Sequence, residues 1–354
     1  MIRMASKILS KSKSILFLFI SFYEQKMNSL NSYLISGTNN SVDSIKELEI
    51  FCYKYFVLST TFDDYCNGNH SNKKRLLISI INCIFMWLMT FKTIIILFID
   101  DPQIWLLFGD YFYVTGYRKI SNVITLLCSI FTSSVITLII FGEKFKNLHF
   151  VHDLYSLKTG KNHKLWLQNL EKYRKLTRIL NFYTLKVFFF GGVFSLNIIE
   201  IYFYWTAIFD KDMNCNIYTT FIWFVLNFIW LSYLILSFVA HFTLFGSIVI
   251  YLILRFKQIS ISFSYQMLSS KRILFLIKEH HMLTITTHKY NEFFKYLSFL
   301  FYSQNNIYID LFIFLHYFGE FPASLRFIFL MITISIISNC FCYALITVNL
   351  SFQV

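Results

Sequence analysis

Apolar positions along this chain run in long unbroken stretches, with polar residues gathered between them. Residues 76–99, 121–141, 183–209, 217–254, 296–318 and 327–350 each carry enough apolar side chains to cross a hydrocarbon layer, which takes ~20 residues of α-helix. Strands of a membrane barrel would alternate over about ten residues; these runs are longer and continuous. Backbone groups in lipid must be satisfied within the segment itself, so such runs become helices. The pattern predicts an all-α fold, a polytopic transmembrane helical bundle with six recognisable spans. It divides the chain into an N-terminal tail, 1–75, and a transmembrane domain, 76–354. The run 217–254 would be roughly 57 Å long as a helix, more than one crossing. Ala240-His241-Phe242-Thr243 offers no Gly, Pro or Asn for a turn. One long helix extending into the cytoplasm is expected there.

Charge in the connecting segments sets the expected orientation. Segment 142–182 holds nine Lys/Arg against three Asp/Glu, and 255–289 holds six against one. Segments 100–119 and 210–216 are each net −1, and 319–326 is neutral. Basic connections belong on the cytoplasmic side, where anionic lipid also attracts them. The tail 1–75 is net +4 and ends in Lys73, Lys74 and Arg75, which predicts a cytoplasmic N-terminus. The net charge of +13 is therefore a topology signal and does not imply nucleic acid as a partner. Within 142–182, Trp166, Leu167, Leu170, Tyr173, Leu176 and Leu180 recur at helical spacing; that amphipathic helix would lie on the membrane or extend the flanking spans. Met1–Lys13 and the apolar Ser14–Ile20 imitate a signal peptide, but no small-residue cleavage site follows. A short amphipathic or disordered N-terminus is expected. The Asn69-His70-Ser71 sequon would then face the cytosol.

Composition excludes further classes. Hydrophobic residues make up 56% and charged residues 14%, against ~45–50% and ~25% in soluble domains, so an ordinary soluble enzyme is ruled out. Phe (43) and Tyr (23) are abundant, which fits either an aromatic-lined cavity or A/T-rich codon usage. Seven cysteines include no metal-type pair: Cys340 and Cys342 are one residue apart, unlike C-x₂₋₄-C zinc spacing. His280, His281 and His288 lack the zincin spacing, and there is no Gly-rich phosphate loop. No enzyme activity, cofactor or metal is expected.

Polar groups inside apolar runs remain as candidates, because ionisable residues in lipid are costly unless paired or hydrated. Glu200 is followed by Tyr202, Tyr204 and Trp205; a carboxylate beside aromatic faces suits a cationic ligand, although Glu200 near the outer surface would also be wet. Lys92 would snorkel outward. The outer loop holds Trp105, Tyr111, Tyr113 and Tyr117, an interface belt or a vestibule. Asn306 and Asp310 share one face of their span, beside Gln304 and Asn305, and suit helix packing or an aqueous path. His241 and His316 are isolated. The last span carries Ser335, Ser338, Asn339, Cys342 and Asn349, a polar stripe fit for a pore lining or a helix interface.

His280-x-x-Leu283, seven residues, then Asn291-x-x-Phe294 resembles the H-x-x-L…N-x-x-F pattern of arthropod gustatory receptors. Cys342-Tyr343, five residues, then Asn349-Leu350 is similar to the terminal T-Y-x₅-Q-F signature of that gustatory and odorant receptor superfamily, with Cys for Thr, Asn for Gln and Leu for Phe. The resemblance implies a seven-span fold, where six spans are recognisable here. It also implies a chemosensory, ligand-gated cation channel at the plasma membrane, assembled as a homo- or hetero-tetramer of receptor subunits. A small tastant or odorant would bind in an outward-facing cavity. Tyr343 and Asn349 would then lie along the pore, and His280, Leu283, Asn291 and Phe294 in the intracellular anchor. The alternative is a multi-pass secondary transporter or another membrane protein without channel activity. Transporters often show inverted repeats and Gly/Pro-broken helices, and neither stands out in this sequence.

Overall fold

The structure, a computed structural model, describes residues 44–55, 57–68, 73–110, 112, 118–145, 147–160, 164–209, 217–264, 269–319, 321 and 323–351. Readings that fall on the N-terminal patch 14–20, the sequon, Tyr111, Tyr113, Tyr117, the 210–216 loop and Cys215 lie outside those residues. The described chain is helical. Two short helices, α1 (Ser44–Lys54) and α2 (Phe62–Asn67), precede α3 (Lys73–Phe98). A short α4 (Pro102–Leu107) leads to α5 (Arg118–Lys144), followed by α6 (Phe150–Thr159) and α7 (Leu167–Asn181). A π-helical stretch, Phe182–Phe188, joins α7 to α8 (Phe189–Phe209). Three long helices complete the chain: α9 (Ile217–Phe263), α10 (Ser270–Phe318) and α11 (Ala323–Ser351).

Four stretches are long and apolar enough to cross a membrane: Lys73–Phe98, Arg118–Lys144, Leu167–Thr206 and Tyr218–Phe263. The protein is a multi-pass membrane protein with an all-α architecture. The amphipathic segment 166–180 does not stand apart; through the π-helical stretch it extends α8. The run 217–254 lies within a single helix of 47 residues, Ile217–Phe263, and 296–318 is the second half of a 49-residue helix. Because successive helices reverse direction, the loops fall at two ends of the bundle. They are named here after Asp110, which lies in the α4–α5 loop, and Asp153, which lies in α6.

Helix α9 is mainly apolar from Leu234 to Leu244, broken only by Ser237, His241 and Thr243, and that stretch is buried throughout, as a helix apolar on most of its faces must be. The others pack around it. α3 and α5 are joined by small polar side chains: Thr90 Oγ1 lies 2.7 Å from Ser129 Oγ, and Trp87 Nε1 donates to Thr137 Oγ1 at 3.1 Å. Such bonds hold helices together where lipid offers no hydrophobic gain. The π-helical stretch meets α9 through Thr243 Oγ1, which donates to Thr184 Oγ1 at 2.7 Å. One turn on, Gly246 packs against Leu180 of α7, whose Cδ2 lies 2.8 Å from where a Cβ would stand, so a larger residue there would push the Leu180 side chain aside.

α1 and α2, within the segment treated as a tail, dock on the Asp153 end. Lys158 of α6 bridges Glu49 (2.6 Å) and Asp63. Glu143, at the end of α5, accepts the backbone N–H groups of Ser59 and Thr60 at 2.9–3.1 Å and the Thr60 hydroxyl at 2.8 Å. Asn181 donates to the Ser44 carbonyl at 2.6 Å.

Candidate functional site

A cavity of about 150 Å³ lies near the Asp110 end, enclosed by α3, α5, α8, α9, α10 and α11. Its roof is the loop after α4. Gly109 takes a left-handed φ of +67°, and a Cβ there would sit 2.4 Å from Trp223 Cβ. Only glycine gives this turn at this approach. The turn buries Asp110, which accepts from Arg118 Nε at 2.7 Å, Asn122 Nδ2 at 2.8 Å and Phe112 N at 3.1 Å. Arg118 also donates to the Ile96 carbonyl at 2.6 Å and lies 3.9 Å from the Trp105 ring centre. Trp223 Nε1 donates to the Leu107 carbonyl at 2.6 Å. The roof is thus a paired polar plug tying α3, α5 and α9 together.

Below it the walls are mainly apolar, with Phe203, Phe312 and Leu234 among them. Two opposite charges face the space. Lys92 of α3 does not snorkel away. Its ammonium donates to Asn227 Oδ1 at 3.1 Å and lies 4.3 Å over the Trp223 ring, and Asp110 and Glu200 both attract it electrostatically. Glu200 of α8 is 6% exposed, and neither carboxylate oxygen has a hydrogen-bond partner among the described residues. Trp230 Nε1 and Ser121 Oγ, also on the lining, are unpartnered too. Buried polar groups are normally satisfied. This cavity therefore presents a bare acid, a bare indole donor and a bare hydroxyl around a space comparable to one that holds a benzene ring.

Of the four residues singled out around Glu200, only Glu200 itself lines the cavity; Tyr202, Tyr204 and Trp205 do not. Tyr204 packs at a tilt against Phe224 at 4.7 Å, and Tyr202 packs near Phe203 at 5.9 Å. Sequence reasoning left out Asp110, Ser121, Asn122, Asn227 and Trp230. The signal available for the charges was the presence of Lys92 and Glu200, of opposite sign, both inside apolar runs near the same end.

The other candidates are scattered. Asn306 and Asp310 are exposed on α10, while Asn305 is buried. His316 Nδ1 lies 2.9 Å from the Arg326 carbonyl, and the His241 ring lies tilted against Phe294 at 5.6 Å. Ser338 is exposed and donates to its own helix at Ile334. The side chains of Ser335, Asn339, Cys342, Tyr343 and Asn349 lie outside the described residues, though their backbone belongs to α11. Among the anchor positions, Leu283 and Phe294 are buried, His280 meets Phe256 edge-on at 5.6 Å, and Asn291 is exposed.

Compared with known proteins, the chain matches no family model and no curated sequence.

Proposed function

We propose that the chain is a carrier or other non-channel membrane protein that holds one small amphiphilic solute inside the bilayer. The solute class is a protonated amine with an apolar body and a hydrogen-bond acceptor. The observation that carries this reading is the bare Glu200 carboxylate, which shares the lining of one mainly apolar cavity with Trp230 Nε1 and Ser121 Oγ. An amine would pair with Glu200 and face aromatic walls, a setting in which cations are stabilised. An acceptor on the same molecule would take the indole N–H. Six crossings are proposed, with the Asp153 end and both termini in the cytosol and the basic segments 142–182 and 255–289 on that side. Purified protein in liposomes tests the reading: wild type should bind and take up labelled small amines, and Glu200→Gln should lose at least tenfold in affinity. Equal binding by both proteins refutes it. Epitopes inserted in 142–182 should be reachable only in permeabilised cells.

A second reading is the chemosensory channel subunit that the motifs imply, opened by a tastant or odorant in the same cavity and assembled as a tetramer. Its support is the packing of Leu283 and Phe294 at the Asp153 end, together with Asn306 and Asp310 exposed on α10, polar groups that neighbouring subunits would cover. Ligand-evoked current in planar bilayers, absent from the first reading, separates the two.

A further inference from the structure

A second cavity, of about 410 Å³, opens at the Asp153 end between the segment after α6, the far part of α9 and the first half of α10. It has a different character. Four permanent cations line it, Lys164, Arg255, Lys278 and Lys289, against two acids, Asp153 and Glu279. Both acids are engaged within the protein: Asp153 accepts the Tyr290 hydroxyl, and Glu279 lies 3.4 Å from Arg255. Arg255 forms the floor. It is 3% exposed, its Nη1 donates to the Lys164 carbonyl, and its Nε has no partner among the described residues. Gln258 Nε2 donates to the same carbonyl at 3.0 Å, which fixes the strand of chain carrying Lys164. The three lysines are exposed and form no ion pair among the described residues.

The depth of the cavity is also informative. Ile217 begins α9 at the Asp110 end, and Arg255 lies roughly 57 Å along that helix. The hydrocarbon is ~30 Å thick. The cavity therefore sits beyond the lipid core, in water or at the headgroups, where an unpartnered guanidinium N–H and three flexible ammonium groups converge on one space. Arginine supplies directed donors to phosphate oxygens, and lysines supply mobile point charges. Basic pockets at the ends of membrane helices suit phosphorylated headgroups.

We propose that this pocket binds a small, multiply phosphorylated anion of the inositol phosphate type, with Arg255 Nε at its floor and Lys164, Lys278 and Lys289 at its rim. The same chemistry is offered by a soluble inositol phosphate and by a phosphoinositide headgroup. The site is separate from the cavity around Glu200 and does not depend on what that cavity holds.

Full-length protein in nanodiscs of zwitterionic lipid would be titrated with inositol 1,4,5-trisphosphate and with inorganic phosphate. In a parallel arm the nanodiscs would contain phosphatidylinositol 4,5-bisphosphate, with protein-bound lipid counted by native mass spectrometry. Wild type should bind the trisphosphate far more tightly than inorganic phosphate. Lys278→Gln/Lys289→Gln should weaken binding at least tenfold with unchanged thermal unfolding, since both side chains are exposed. Glu279→Gln, which removes a rival carboxylate, should strengthen it. Binding confined to the doped nanodiscs, and lost in the double variant, assigns the headgroup as the source. No binding of any probe, undiminished binding by the double variant, or equal affinity for inorganic phosphate overturns the proposal.

Discussion

Glu200 and the buried carboxylates at the Asp153 end of this bundle are treated in opposite ways. At the Asp153 end, Glu143 and Glu49 are 9% and 5% exposed. Glu143 collects three donors from Ser59 and Thr60, and Glu49 accepts Phe62 N at 2.7 Å and pairs with Lys158. In the cavity at the Asp110 end, Glu200 is buried to the same degree, at 6%, with both oxygens bare. Burial is equal and satisfaction is not. A carboxylate that is satisfied inside the fold acts as a fastener, here holding α1 and α2 to the bundle. One left bare costs stability and persists where something outside the fold can satisfy it.

The largest effect should come from removing a fastener. Glu143→Ala strips two buried backbone N–H groups and one hydroxyl of their acceptor, and each unmade bond costs ~1–3 kcal/mol. A loss of ~3 kcal/mol is expected. Thermal unfolding in detergent, followed with a thiol-reactive dye, would measure it, because Cys52 and Cys128 are buried and react only on unfolding. An unchanged melting temperature would mean that the α1–α2 cap contributes nothing to the bundle.

Gly109→Ala tests the roof of the other region. The left-handed φ of +67° costs a β-carbon ~1–2 kcal/mol, and the clash with Trp223 adds ~1–3 kcal/mol of overpacking. A loss approaching ~3 kcal/mol is expected, with weaker solute binding because Asp110 and Trp223 are both displaced. A Gly109→Ala protein of normal stability would show that the loop relaxes freely, and the cavity would then lack a fixed roof.

Much of this contrast was visible in the sequence, though not its cause. The apolar runs marked out α3, α5, α8 and α9, and an ionisable residue inside one of them exposed Glu200. The aromatic neighbours were misplaced by counting along the chain in place of around the helix. Leu196, Ile199, Glu200 and Phe203 recur at three and four residues and share one face; Tyr202 and Trp205 fall on others, and Tyr204, four residues from Glu200, sits at the edge of that face, where it meets Phe224. The π-helical stretch at Phe182–Phe188 has no Gly or Pro to announce it. Its contact with Thr243 comes from a helix some sixty positions away. The network on Asp110 draws on α3, α5 and the α4 loop at once, which no local pattern encodes. Two of the three donors for Glu143 are backbone N–H groups of Ser59 and Thr60, which carry no side-chain signature.

Glu200→Gln sharpens the comparison because its expected sign is reversed. Replacing a bare buried carboxylate with a neutral amide of the same shape removes a desolvation cost of which ~1–2 kcal/mol should be recovered as stability. Solute binding should fall at the same time. A gain in stability with a loss of function marks a group kept for its ligand. Destabilisation would instead show that Glu200 is a fastener like Glu143, paired through Lys92.

Asp153 lies between these extremes and gives the smallest effect. It accepts one strong hydrogen bond, from Tyr290. Burial raises its carboxyl above the usual range, and neither that bond nor the charges of Lys164 and Arg255 offset the shift. Its value in the folded protein therefore exceeds the ~3.9 of an unfolded aspartate. The native state holds a proton that the unfolded state releases, so stability falls as pH rises from the unfolded value through the folded one, and is flat above it. Measured from pH 4 to 8, the difference in melting temperature between wild type and Asp153→Asn should grow across that window in favour of the amide. A constant difference would show that the folded protein does not hold the Asp153 proton more tightly than the unfolded chain does. A growing one shows that a single donor does not offset the burial of Asp153, where Glu143 gathers three donors and Glu200 none among the described residues.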